Sequence, residues 1–264
     1  MRIEKVAVIG SGTMGSGIAG HLANAGIAVR LFDIKSDGDD ANAVAERALQ
    51  RLRESDPPQL VDPSVLDHIT VGNIDDDLEQ IADCDWIVEA IVERLDLKRA
   101  LYRRIDALRK PEAIVSSNTS TIPMALLAEG MPEAFHRRFA ISHFFNPVRY
   151  MRLLELVSGE MTDPEVVDTL RRFNDEVLGK GVVECRDTPG FLGNRVGVFA
   201  LQVGIDEAIK NGLTAHEADA LMGRPMGIPK TGVFGLYDLI GLDLMVDVVK
   251  SLKTILPEGD AFHP

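Results

Sequence analysis

The chain predicts an α/β fold, a doubly wound and mostly parallel sheet, followed by a smaller all-helical domain. Three observations carry this. Short apolar runs alternate with helix-spaced segments over residues 1–186. Those runs are too brief for helices and apolar on both faces, as strands covered from both sides are. Beyond Thr188-Pro189-Gly190 only helical periodicity remains. The boundary therefore falls near Arg186, dividing the chain into residues 1–186 and 187–264.

Taken in order, residues 6–9 read as a buried parallel strand, and Ile18, Leu22 and Ala25 recur at helical spacing after it. Between them stands Gly10-Ser11-Gly12-Thr13-Met14-Gly15. Gly10 permits a tight turn, Gly12 lets backbone approach a pyrophosphate, and Gly15 lets the helix pack close to the strand, with Thr13 and Met14 opening the helix toward the anion. A second run, residues 28–32, delivers Asp33. A carboxylate there accepts hydrogen bonds from an adenosine ribose and repels a 2′-phosphate, so NAD is favoured over NADP. Lys35 is the only nearby cation. The alternative is an ordinary glycine-rich turn.

A polar stretch, residues 35–42, leads to a helix carrying Arg47, Arg51 and Arg53, which Pro57-Pro58 ends. Alternation resumes with strand 69–71, a helix near 77–82, strand 86–90, a basic helix over 95–108 and strand 113–117. Residues 138–145 and 153–157 supply two more strands. Asp163-Pro164 opens a helix running to about residue 178, and 181–185 is the last strand. The helical part holds 191–210, a Thr214-x-x-Glu217 capping box opening another helix, and 242–256.

A chain of 264 residues, 45% hydrophobic, can bury a substantial core. Its net charge of −13 argues against nucleic acid as a partner. No apolar run approaches the roughly 20 residues that span a bilayer, and the first apolar stretch is already a strand rather than a signal segment. The cytoplasm is the expected compartment. Cys84 and Cys185 lack metal-ligand spacing and are expected to be buried thiols; no metal site is expected.

Ligands of doubly wound sheets bind beyond the C-terminal strand ends, so the polar residues there are the candidates for chemistry. Ser116-Ser117-Asn118-Thr119-Ser120-Thr121 leaves one strand with hydroxyls and an amide able to meet a cofactor or a substrate oxygen, or simply to cap a helix. His143 ends another strand among aromatic neighbours, and imidazole is suited to act as a general base near neutral pH. Glu155 interrupts an otherwise apolar strand; an unpaired buried carboxylate costs several kcal/mol, so it needs a partner, and an imidazole N–H would serve. Asn194 opens the first helix of the helical domain and either faces a cleft or packs. Arg47 and Arg51, four apart on one helical face, meet phosphates or are solvated.

Together these residues resemble the NAD-dependent L-3-hydroxyacyl-CoA dehydrogenases. The likeness rests on the glycine loop, Val88-Glu89-Ala90-Ile91-Val92-Glu93, Ser117-Asn118-Thr119-Ser120, His143-Phe144-Phe145-Asn146-Pro147, and Asp187-Thr188-Pro189-Gly190-Phe191 with Asn194-Arg195. It covers nearly the whole chain. The resemblance implies His143 as general base, Glu155 orienting it, Ser120 and Asn194 holding the reacting oxygens, and Asp33, Glu93, Lys98, Ser120 and Asn146 on the cofactor side. It also implies an acyl-CoA substrate, with Arg47, Arg51 and Ser120 as its contacts. A homodimer formed through the helical domain is implied as well.

Members of that family usually continue past the point matching residue 264, so the helical domain is expected to be incomplete. The segment 146–151 and the run to Gly181-Val182-Val183 look more like the dehydrogenase part of a larger fatty-acid oxidation multienzyme. Competing readings are an L-gulonate or 3-hydroxybutyryl-CoA dehydrogenase on the same scaffold, and a non-catalytic NAD-binding module.

Overall fold

The computed structural model describes residues 1–227, 230–256 and 258–260, without the side chains of 244, 247 and 251–255. The chain forms two compact units, Met1–Asp187 and Thr188–Pro264.

The first unit is built on eight strands: β1 (Lys5–Ile9), β2 (Ala28–Asp33), β3 (Ile69–Asn73), β4 (Trp86–Glu89), β5 (Ile114–Ser117), β6 (Phe139–Phe144), β7 (Leu153–Ser158) and β8 (Gly181–Cys185). They lie in the order β3-β2-β1-β4-β5-β6-β7-β8. Every pairing is parallel except β6 with β7. Val6 to Ile9 and Trp86 to Val88 are fully buried, as strands covered on both faces must be. The winding reverses between β1 and β4, so their C-terminal ends open the crevice in which such sheets bind ligands.

Helix α1 (Thr13–Asn24) follows β1, and α2 (Ala43–Arg53) lies within the excursion between β2 and β3. Helix α3 (Leu95–Leu108) joins β4 to β5; α4 (Met124–Leu127) and α5 (Glu133–Arg137) are short turns before β6. Helix α6 (Pro164–Arg172) joins β7 to β8. The core packs Trp86 edge-on against Phe173, and Tyr102 against Phe135 and Phe139.

The second unit holds α7 (Gly193–Lys210), α8 (Ala215–Leu221), α9 (Phe234–Ile240) and α10 (Leu242–Ile255); Val198 of α7, Tyr237 of α9, Met245 of α10 and Leu256 just after it form a small core. Both halves of the capping box form at α8: Glu217 N–H donates to Thr214 Oγ1, and Thr214 N–H donates to Glu217 Oε2.

Several local expectations change. The helix expected near 77–82 is a 3-10 turn, Leu78–Asp83. The helix from Pro164 widens to π geometry over Phe173–Val177, where Asn174 Nδ2 donates back to the Leu170 carbonyl. The helix expected from 191 starts at Gly193, because Gly190 and Phe191 both take positive φ, 74° and 46°. Cys84 is buried, and burial pushes its thiol up to about 12, but Cys185 is only half-buried, because it ends the edge strand β8. Phe262-His263-Pro264, where no terminating element is expected, lies outside the described residues.

Candidate active site

The glycine loop has the shape a pyrophosphate needs. Gly10 sits at φ 101°, and a Cβ there would lie 2.5 Å from the Ala90 carbonyl oxygen. A Cβ on Gly15 would lie 1.7 Å from the Gly10 oxygen, so only glycine lets α1 start this close to β1. Gly12 is different: its Cβ would touch nothing within 4 Å, and it caps α1 without any side-chain hydrogen bond. The first N–H groups of α1 are thus left without a side-chain cap, with Thr13 exposed and Met14 half-buried beside them. An anion fits this cradle.

Asp33 ends β2 against the same loop. Its Oδ2 accepts from both the N–H and the hydroxyl of Ser11, each at 2.6 Å, and its Oδ1 accepts from Ile34 N–H at 2.7 Å. A carboxylate offers about four acceptor positions, so one remains on Oδ1 for a ribose hydroxyl. Arg51 Nη2 donates to the Ser11 carbonyl at 3.0 Å, which ties α2 to the loop. Arg47 is exposed. The two arginines therefore differ in their settings.

Beyond β4 and β5 lies a network of charges. Glu89 is fully buried and accepts four hydrogen bonds: Oε1 from Lys98 Nζ (2.6 Å) and Ile91 N–H (2.8 Å), Oε2 from the Tyr102 hydroxyl (2.6 Å) and the Ser117 hydroxyl (2.7 Å). Lys98 is buried with it and also reaches Glu93 Oε2 at 3.2 Å. Glu93 in turn accepts from the hydroxyls of Thr119 and Thr121, the latter at 3.1 Å. Desolvation alone would raise the Glu93 carboxyl, but the Lys98 charge and the bonds from Thr119, Lys98 and Thr121 hold it below the ordinary glutamate range. The hydroxyl segment is therefore not a helix cap. Pro123 precedes α4 without a side-chain bond, and the hydroxyls of Ser117, Thr119 and Thr121 donate to the two glutamates instead. Ser120, half-buried, stands between Thr119 and Thr121.

His143 and Glu155 are directly opposite each other on β6 and β7. His143 Nδ1 lies 2.7 Å from Glu155 Oε2; the carboxylate accepts, so Nδ1 carries a proton, and in the neutral ring Nε2 is then the acceptor nitrogen. Both residues are buried, and the Phe145 ring lies 4.5 Å from the imidazole, centroid to centroid. Asn118 Oδ1 accepts from Phe144 N–H at 2.9 Å, fastening the end of β5 to the strand that carries His143. Cys185 Sγ lies 3.8 Å from Glu155 Oε1.

Asn146 is exposed just past β6. The turn after it is clamped by the buried Lys180, whose ammonium donates to the carbonyls of Val148 and Met151. Asn194 belongs to the second unit, as the second residue of α7. Sequence reasoning missed Glu89, Tyr102 and Lys180 as organisers. The signal for Glu89 was present: like Glu155, it is a carboxylate inside an apolar strand. Among the described residues no group of three His, Cys, Asp or Glu could hold a metal ion.

Residues 5–188 match the family model described as 3-hydroxyacyl-CoA dehydrogenase, NAD binding domain. Residues 190–264 match the 3-hydroxyacyl-CoA dehydrogenase C-terminal domain. A Rickettsia felis protein with the provisional name fatty acid oxidation complex trifunctional enzyme is 47% identical over 99% of this chain, which spans only 36% of that protein. The probable 3-hydroxyacyl-CoA dehydrogenase of Deinococcus radiodurans is 43% identical, with 99% of this chain and 76% of that one covered. Among solved structures, the (S)-3-hydroxybutyryl-CoA dehydrogenase of Ralstonia eutropha superposes with a TM-score of 0.82 at 30% identity, covering 100% of this chain and 91% of that one. With both domain models matched, the chain belongs to the 3-hydroxyacyl-CoA dehydrogenase family, and NAD is the cofactor of its N-terminal domain.

Proposed function

We propose that the chain interconverts L-3-hydroxyacyl-CoA and 3-ketoacyl-CoA, with NAD as its redox partner, in fatty-acid β-oxidation. The observation that carries this reading is the His143–Glu155 pair, held at 2.7 Å at the same end of the sheet as the glycine loop. NAD, when bound, supplies the acceptor for the hydride that leaves C3. His143 Nε2 takes the hydroxyl proton as the carbonyl forms, so a proton and a hydride leave the alcohol together and the oxidised carbon keeps four bonds. Glu155 fixes the tautomer and stabilises the imidazolium. Ser120 and Asn194 hold the reacting oxygens. Gly10, Gly12, Thr13, Met14, Gly15 and Asp33 hold the adenosine and pyrophosphate half, and Glu93, Lys98, Ser120 and Asn146 serve the other half.

Further readings follow from the same proposal. The helical unit, residues 187–264, serves substrate closure and dimerisation. Val196, Phe199 and Val203 support the second role, since they are exposed and spaced 3 and 4 apart along α7. Arg47 serves the coenzyme A phosphates, with Arg51 reaching them while it steadies the loop. The reaction runs in the cytoplasm. The charge of −13 disfavours nucleic acid, and among the described residues no helix is long and apolar enough to cross a membrane. The chain acts as the dehydrogenase part of a larger multienzyme, which the Rickettsia relative supports.

The test is acetoacetyl-CoA-dependent oxidation of NADH by the wild type and by His143→Ala, beside calorimetric titration of both with NADH. Turnover lost in the variant with NADH binding retained supports the proposal. NADH binding without turnover in the wild type indicates a non-catalytic module, and turnover of L-gulonate instead indicates that alternative. A strong preference for four-carbon substrates narrows the function to 3-hydroxybutyryl-CoA, as in the Ralstonia relative's name.

A further inference from the structure

Lys98 and Glu93 stand on the cofactor side in the reading above, yet the geometry gives them a second task. Lys98 is 1% exposed, with its ammonium shared between the two glutamates. Of these, Glu89 is locked from all sides. Its four donors come from the loop after β4, from two successive turns of α3, and from the end of β5. Glu93 is held by Lys98 and spends Oε1 on the hydroxyls of Thr119 and Thr121. Those two threonines flank Ser120, while Ser117, three residues earlier, is bound to Glu89. Ser120 is thus suspended between anchors that all lead back to one buried carboxylate.

We infer that Tyr102 and Glu89 are positioning residues for Ser120, acting through Ser117 and through the Lys98–Glu93–Thr119 chain. The inference deepens the dehydrogenase reading and rests on it for the role of Ser120. Tyr102 contributes the donor that no other group can replace, since Lys98, Ile91 and Ser117 already take the remaining acceptor positions of Glu89. Its phenol stays protonated over the whole working range: burial raises its pKa first, and the adjacent Glu89 charge and hydrogen bond raise it further. Partly satisfied buried networks are the costly kind, so losing one donor loosens the members that remain.

The experiment uses Tyr102→Phe, which keeps the ring packed at 5.6 Å from Phe135 and 5.2 Å from Phe139. Hydrogen exchange of the peptide covering residues 117–122 is measured first and needs no turnover. Exchange there rises about fivefold in Tyr102→Phe, the equivalent of one lost hydrogen bond, and more in Thr119→Val. Unchanged exchange overturns the inference. The second arm is a double-mutant cycle with Ser120→Ala in acetoacetyl-CoA reduction. Tyr102→Phe alone lowers kcat about tenfold with KM for NADH within about twofold. In the Ser120→Ala background it costs almost nothing more, because the two residues act through one group. Additive losses would show that Tyr102 merely stabilises the fold. A wild type that does not turn over sinks the dehydrogenase reading, while the exchange result still decides whether the network holds the loop.

Discussion

His143 and Glu155 occupy one rung of the antiparallel β6–β7 ladder, and their side chains meet at 2.7 Å in a buried contact. Because the rung is fixed by backbone pairing, the imidazole depends on no mobile loop for its tautomer. Glu155→Gln keeps the shape but puts an amide where a carboxylate stood. The amide can donate to Nδ1, which moves the ring proton to Nε2 and removes the base. We expect kcat to fall about 10³-fold, within the range for loss of a general base, with NADH affinity unchanged. Steady-state kinetics beside calorimetry checks this; a variant that keeps a tenth of wild-type kcat denies Glu155 the orienting role.

Gly15→Ala tests the loop by sterics alone. Its Cβ would fall 1.7 Å from the Gly10 oxygen and 2.9 Å from the Gly10 carbon, both backbone atoms that cannot swing aside. Helix α1 must then move away from β1. NADH binding is expected to weaken by at least about 100-fold, on the order of 3 kcal/mol, with a lower melting temperature. Gly12→Ala meets no atom of the chain, so it should fold normally and lose affinity only by crowding the bound pyrophosphate. Equal melting temperatures for the two variants would contradict this reading.

Asp33→Asn addresses cofactor choice. The side chain keeps one carbonyl oxygen for Ser11 but loses its charge and the acceptor left over for a ribose hydroxyl. NADH should bind about tenfold more weakly, the scale of one hydrogen bond to a charged group, while NADPH gains relative to NADH. Titration with both cofactors decides it. An unchanged ratio of the two affinities would place the discrimination elsewhere.

The parts legible in the sequence were those whose physics is local. Strand runs, the glycine turn and the Thr214–Glu217 capping box need only neighbouring residues, and they appear where periodicity puts them. The Glu155 partner was legible for a different reason: a carboxylate in an apolar strand must be compensated, and few groups near the strand ends can do it. The same logic applied to Glu89 but was masked there, because its compensation comes from four residues, the farthest of them 28 positions along the chain. For Arg51 the spacing on α2 left phosphate contact and solvation both open, and no spacing shows that the Ser11 carbonyl lies within its reach. The hydroxyl segment looked like a cap because Ser and Thr usually are caps. Only the fold brings Glu93 above it.

His21 gives the stability of the fold a pH dependence. It lies on α1, where its Nε2 donates to the Leu178 carbonyl at 3.0 Å. Burial first, and then the nearby charges of Lys180 and Arg149, lower its pKa from 6.5 to about 4 against the opposing pull of the Leu178 carbonyl. The unfolded chain therefore binds a proton between pH 6.5 and 4 that the folded chain refuses. Stability rises with pH through that window, is fully present above 6.5, and is lost as the pH falls toward 4. The span amounts to about 3 kcal/mol, of which about 2 is lost by pH 5. Carboxylates also titrate near pH 5, so the test is a difference: urea midpoints at pH 7 and pH 5 for the wild type and His21→Gln. The wild type should lose more stability over this interval by about 2 kcal/mol, and equal losses in the two proteins would show that His21 titrates normally in the fold.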